Sequence, residues 1–144
     1  MASENFILQD ELTVKSRTDN LSVVRDFIQS YASKCGLEKS EISKIVLAVD
    51  EACTNIIKHA YKFSPEGDIH LKINCLPKKF IVSITDKGNH FNPELIPEPD
   101  LQAYQKEKKK GGLGIFLIKK LMDEVTYKNL SNNLNQVELV KYIN

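Results

Sequence analysis

The sequence has no tryptophan and only three cysteines, Cys35, Cys53 and Cys75, with no C-x-x-C pair among them. An odd number at wide spacing argues against both a disulfide framework and a zinc site, and it fits a reducing cytosol. No apolar run approaches the roughly 20 residues of a membrane span. The start, MASENFILQDEL, lacks the basic and apolar regions of a secretion signal. A cytoplasmic chain without membrane attachment is therefore expected. Excess charge is missing too: 20 Lys and Arg stand against 19 Asp and Glu, a formal net charge of +1. Without a basic field, no direct nucleic-acid partner and no anionic membrane surface is expected. Neither a Ser-His-Asp order nor an H-E-x-x-H helix is present, so hydrolase and zinc-enzyme readings have no residues to stand on.

What is present is ordinary globular material. With 144 residues, 42% hydrophobic and 27% charged, the chain suits one domain, 1–144, around a single core. Residues 11–16, ELTVKS, alternate like a strand. The following segment changes to helical spacing, with Leu21, Val24, Phe27, Ile28 and Tyr31 on one face. Asp19 or Asn20 can cap that helix and Gly36 can end it. A second helix follows Ser40 and runs to Tyr61, with a core stripe of Ile42, Ile45, Val46, Val49, Cys53, Ile56 and Ala60. IHLKINCL and KFIVSITD alternate with period two on either side of a PKK turn. A long loop rich in proline and lysine follows, with at most a short helix at 101–105. An amphipathic helix opened by glycines and a last pair of strands complete the chain. The order implies an α/β two-layer sandwich with a mostly antiparallel sheet.

Three short motifs carry possible chemistry. In EACTNIIKHAY, Glu51, Asn55 and His59 recur every four residues and would stack about 6 Å apart along one helix edge. A solvated polar face is the plain explanation. The chemical one is that a carboxylate one turn before an amide can take a proton while the amide ligates a hard cation. In TDKGNHF, Asp86 at a strand end followed by Gly88 is either a simple turn or an acceptor for the exocyclic amine of a purine, with glycine letting the base approach. In KKKGGLGIFLI, Gly111, Gly112, Leu113 and Gly114 lead into a helix, either as a hinge or as an anion site of exposed N–H groups. It is neither a Walker A loop, since no G-K-[ST] follows, nor a Rossmann fingerprint, since no βαβ unit surrounds it. Lys106, Lys108, Lys109 and Lys110 solvate the loop or attract phosphate, and His70 and His90 show no partner pattern.

In that order, E-x-x-x-N on a helix, D-x-G at a strand end and a glycine-rich segment before the next helix resemble the Bergerat ATP-binding fold shared by gyrase, Hsp90, MutL and histidine kinases. The likeness covers nearly the whole chain. Within that superfamily, EACTNIIKHAY with GGLGIFLIKKLMDEV looks most like the small anti-sigma factor serine-protein kinases of bacterial partner-switching systems.

The resemblance implies ATP and Mg²⁺ as cofactors. It makes Glu51 the general base toward a serine hydroxyl and Asn55 the Mg²⁺ ligand. Asp86 with Gly88 would hold adenine, Gly111, Gly112, Leu113 and Gly114 would meet the phosphates, and 93–111 would form an ATP lid. It also implies a sigma factor and a STAS-type anti-anti-sigma protein as partners, a homodimer, and Arg25 as a partner-docking residue, against a plain reading of Arg25 as a solvated side chain. The alternative is a nucleotide-dependent binding module that phosphorylates nothing. Two departures stand out: His90 occupies the second glycine position of D-x-G-x-G, and LNQV, with Asn135, replaces a Gly-Thr pair near the final strand.

Overall fold

The computed structural model describes residues 7–90, 113–130 and 133–144. Eight main elements occur in the expected order: β1 (Leu8–Lys15), α1 (Leu21–Lys34), α2 (Lys39–Asn55), β2 (Asp68–Leu76), β3 (Lys79–Asp86), α3 (Leu113–Leu121), β4 (Glu124–Leu130) and β5 (Leu134–Tyr142). A 3₁₀ turn, Thr18–Asn20, leads into α1, and a π-helical turn, Ile56–Ala60, extends α2. The 93–111 segment, the short helix expected at 101–105, the four loop lysines, Gly111 and Gly112 lie outside the described residues.

The five strands form one sheet in the order β1-β2-β3-β5-β4, every neighbouring pair antiparallel. Alternation in β2 and β3 places Ile69, Leu71, Ile73, Phe80, Val82 and Ile84 in one buried cluster with Val24, Ile28, Ile45, Val49 and Ile118 of the helices. Full burial of each large apolar side chain stabilises the fold by about 1.5–3 kcal/mol. The layers are therefore held by the sheet's inner face against three helices. Lys141 of β5, itself buried, ties the far end of the core: its Nζ lies 2.9 Å from Leu121 O and 3.1 Å from Glu41 Oε2. No helix of the described residues is long and apolar enough to cross a membrane.

Several expectations shift. β1 starts at Leu8 rather than residue 11, because pairing with β2 carries it on to Leu8↔Cys75 past the charged Asp10–Glu11 pair. Asn20 occupies the N-cap position of α1 without a side-chain cap bond; its Nδ2 instead donates to Lys15 O at 3.0 Å. Gly36 ends the helix as expected, in the left-handed region at φ 84°. Ile42 and Val46 are only half-buried, since the neighbouring α1 leaves a groove beside them. His70 does have partners: it bridges Thr13 and Glu11 across the β1–β2 ladder at 2.7 Å each.

The cysteines also differ from expectation. Cys35, at the C-cap of α1, and Cys75, on β2, are joined as a disulfide with Cα atoms 6.4 Å apart. Spacing along the chain could not show this, because folding brings together residues 40 positions apart. Cys53 is the free, buried core thiol expected, and desolvation pushes its pKa up to about 12.

Candidate functional site

The site is built where α2 ends. Asn55 is its last α-helical residue, and in the next turn Tyr61 N donates to Ile56 O at 2.9 Å, one residue further back than in an α-helix. The expected row of three polar groups is therefore interrupted. Glu51 and Asn55 keep their one-turn spacing, whereas His59 belongs to the π turn with its different period. The same turn offers the Ala60 carbonyl to the amide N–H of Asn89, at 2.7 Å. This contact draws the exit of β3 onto the helix end, and it needs a glycine: a Cβ at Gly88 would lie 2.6 Å from both the carbonyl carbon and the oxygen of Ala60. Gly88 thus makes room for the helix backbone, and it does not itself line the cavity alongside.

That cavity, of about 450 Å³, is lined by Ala52, Asn55 and Ile56 from the α2 end, Asp86 of β3, His90, residues 125–129 of β4, and Asn135, Gln136 and Val137 of β5. Asp86 is 4% exposed. Its Oδ1 accepts the Gly88 N–H at 2.9 Å and the Asn135 Nδ2 amide at 3.0 Å. Burial raises the carboxyl pKa above its ordinary value, while the Asn135 and Gly88 hydrogen bonds pull it back down. A buried acceptor held this way suits the amine of a flat heteroaromatic ring, and the apolar Ala52, Ile56 and Val137 suit the ring's faces.

Glu51 is half-buried and stands outside the cavity lining, one turn before Asn55. Burial, then the charge of neighbouring Asp50, raises its pKa, and Lys58 opposes the shift. That direction makes it a better proton acceptor near neutral pH than an ordinary carboxylate. Arg25 is not merely solvated: its Nη1 pairs with Asp50 Oδ1 at 2.7 Å. The pair belongs to a second groove, about 580 Å³, between α1 and α2, which Ile42, Val46 and Leu47 also line. Leu113 and Gly114 open α3.

The β4 wall of the cavity and Gln136, whose Nε2 donates to Thr85 Oγ1 at 3.1 Å, were not expected. His90, which showed no pattern along the chain, lies 3.4 Å from Asn129 across the cavity. The available signal was the run of polar residues on β4, which reads equally well as a solvated strand. No group of three or more His, Cys, Asp or Glu among the described residues is placed to hold a metal. Asn55 offers one neutral amide to the cavity, which fits a Mg²⁺ that keeps waters and substrate oxygens as its other ligands.

Residues 14–141 match the family described as the histidine kinase-like ATPase domain. The serine-protein kinase RsbW of Bacillus subtilis (strain 168) is 31% identical over 139 residues, which is 93% of this chain and 85% of that protein. RsbW of Staphylococcus aureus (strain JH9) is 33% identical over 147 residues, covering 97% of this chain and 90% of that one. Solved structures share the fold. The RsbU and RsbW domains of a Mycobacterium tuberculosis protein superpose with a TM-score of 0.66 at 16% identity, over 93% of this chain and 32% of that one. The SiaB–SiaC complex of Pseudomonas aeruginosa gives 0.54 at 14% identity, over 97% and 92%.

Proposed function

The chain belongs to the histidine kinase-like ATPase family and, within it, to the RsbW-type serine-protein kinases, and from that membership we propose how its residues divide the work. ATP is the phosphoryl donor, a serine on a STAS-type anti-anti-sigma protein is the acceptor, and a sigma factor is the protein held when phosphorylation is not in progress. The observation that carries this reading is the convergence of Asn55 and Asp86, from different elements, on one cavity.

Asp86 accepts the adenine amine through its buried carboxylate. Asn55 would hold Mg²⁺, which neutralises phosphate charge when bound. The amide groups of Gly111, Gly112, Leu113 and Gly114 meet the phosphates, the last two at the start of α3, where the helix dipole favours negative charge. Glu51 takes the proton of the acceptor serine as its oxygen attacks the γ-phosphorus; the bond from that phosphorus to the β–γ bridging oxygen breaks, and ADP leaves. Arg25 belongs to the partner side, and the homodimer and the cytoplasmic location are part of the same reading. In a reducing cytoplasm, Cys35 and Cys75 would stand as two thiols.

Label transfer from γ-labelled ATP to a purified STAS-type partner tests the reading. The wild-type chain should label one serine, and Glu51→Ala should label it at least about 100-fold more slowly. Transfer at the wild-type rate by the variant would leave Glu51 a structural helix residue and remove it from the chemistry.

A further inference from the structure

Asp86 and Asn135 are direct cross-strand partners, the last residue of β3 and the second of β5. The Asn135 Nδ2 amide lies 3.0 Å from Asp86 Oδ1 and 3.0 Å from Gly88 O. Both neighbours are acceptors, so only the NH₂ edge of the amide can face them, and both of its hydrogens are engaged. Asp86 Oδ1 also receives the Gly88 N–H at 2.9 Å. Two donors, one from the turn that follows β3 and one from β5, thus converge on one carboxylate oxygen. Both bonds fall on Oδ1, which leaves Oδ2 for a ligand.

We propose that Asn135 is a positioning residue for Asp86 and thereby sets the site's preference for a purine bearing a 6-amino group. The proposal rests on the reading that Asp86 receives the adenine amine. A carboxylate that must meet a single N–H at hydrogen-bond distance is useful only in one rotamer, and Asn135 holds that rotamer while it braces the turn through Gly88. The same amide is the foremost influence keeping the buried Asp86 ionised against desolvation. An ionised acceptor is the stronger partner for an amine.

The test measures, by calorimetry on the full chain, the affinity for Mg²⁺–ATP and for purine riboside triphosphate, which differs from ATP only in lacking the 6-amino group. The wild-type chain should prefer ATP by about tenfold, the scale of one hydrogen bond to a charged group. Asn135→Ala should weaken ATP about tenfold and change the analogue less than twofold, so the preference disappears. Asn135→Leu preserves size and removes the donor without adding a second carboxyl beside Asp86, and it should erase the preference too; it serves if the alanine variant fails to melt cooperatively. Equal weakening of both nucleotides, or undiminished ATP binding, would overturn the proposal and leave Asn135 a fold residue. A wild-type chain indifferent to the 6-amino group would instead remove the adenine role of Asp86 and take the proposal with it.

Discussion

Helix α2 separates two concave regions of different construction. On one side, the cavity beside Asp86 is walled largely by strands, and several of its polar side chains are already engaged: Asp86 with Asn135, and Gln136 with Thr85. On the other, the groove against α1 is walled by helices, carries the exposed Leu47, and has one ion pair, Arg25–Asp50, at its polar edge. Each construction suits a different occupant. Pre-engaged groups on rigid strands recognise a small ligand without reorganising, whereas a shallow groove with apolar residues and an accessible arginine suits a protein surface. One helix serves both, since Asp50 lines the groove while Ala52 and Asn55 line the cavity.

The largest expected effect cuts between the two regions. Glu51→Ala should lower phosphoryl transfer by about 10²–10⁴-fold, the usual contribution of a positioned base, while ATP affinity and partner capture stay within about twofold. If ATP affinity also collapses, the separation of chemistry from binding is lost. Next in size, Asp86→Asn should weaken ATP by at least about tenfold through a lost charged hydrogen bond. It should leave partner capture in the absence of nucleotide unchanged; calorimetry and a pull-down on the same preparation read both.

Arg25→Ala is the reciprocal change. Sigma-factor capture should fall about tenfold with ATP affinity unaltered, and unfolding in urea should move by no more than about 0.5 kcal/mol, because the ion pair is partly exposed to solvent. A loss of ATP affinity in this variant would show the two regions to be coupled through α2. The smallest effect is a matter of pH. Asp86 has its folded-state pKa raised from 3.8, with burial the first cause. The folded protein therefore takes up that proton at a higher pH than the unfolded chain does. The cost of burying the ionised group is present in full above the raised folded-state pKa and is relieved as pH falls toward 3.8. ATP binding should move the opposite way, weakening over that interval as the acceptor is protonated. Since His90 lines the same cavity, the comparison with Asp86→Asn, which should lack this acid limb, isolates Asp86.

The legible parts of the chain were those whose signal is local. The alternation of β2 and β3, the apolar stripe of α2 and the order of Asn55 and Asp86 all follow from short-range periodicity and spacing. Asn55 and Asp86 meet because a helix end and the end of a central strand lie at one end of the sheet. The Cys35–Cys75 pair, the Arg25–Asp50 bridge and the His70 contacts are long-range, and nothing in the flanking residues announces them. The β4 wall was hidden for another reason: Thr126, Lys128 and Asn129 have the polarity of a solvated strand, and only its position beside β5 turns them toward a cavity. The π turn escaped because apolar residues at 56, 57 and 60 keep the three- and four-residue spacings of an ordinary α-helix.

That turn makes the segment intolerant of a change in length, beyond what its buried Ile56, Ile57 and Ala60 already demand. A five-residue turn is an α-helix with one residue inserted, so deleting Lys58 would restore the common period and swing the chain beyond it by about 100°. The Ala60 carbonyl would leave the Asn89 amide, and Gly88 would lose the backbone it is fitted against. By contrast, the side chains of Lys58 and His59, half-buried and exposed, can be exchanged without shifting the register. Any grafting of this helix onto another scaffold, or splicing of loops between relatives, must therefore count residues between Asn55 and Tyr61 before it considers which residues they are.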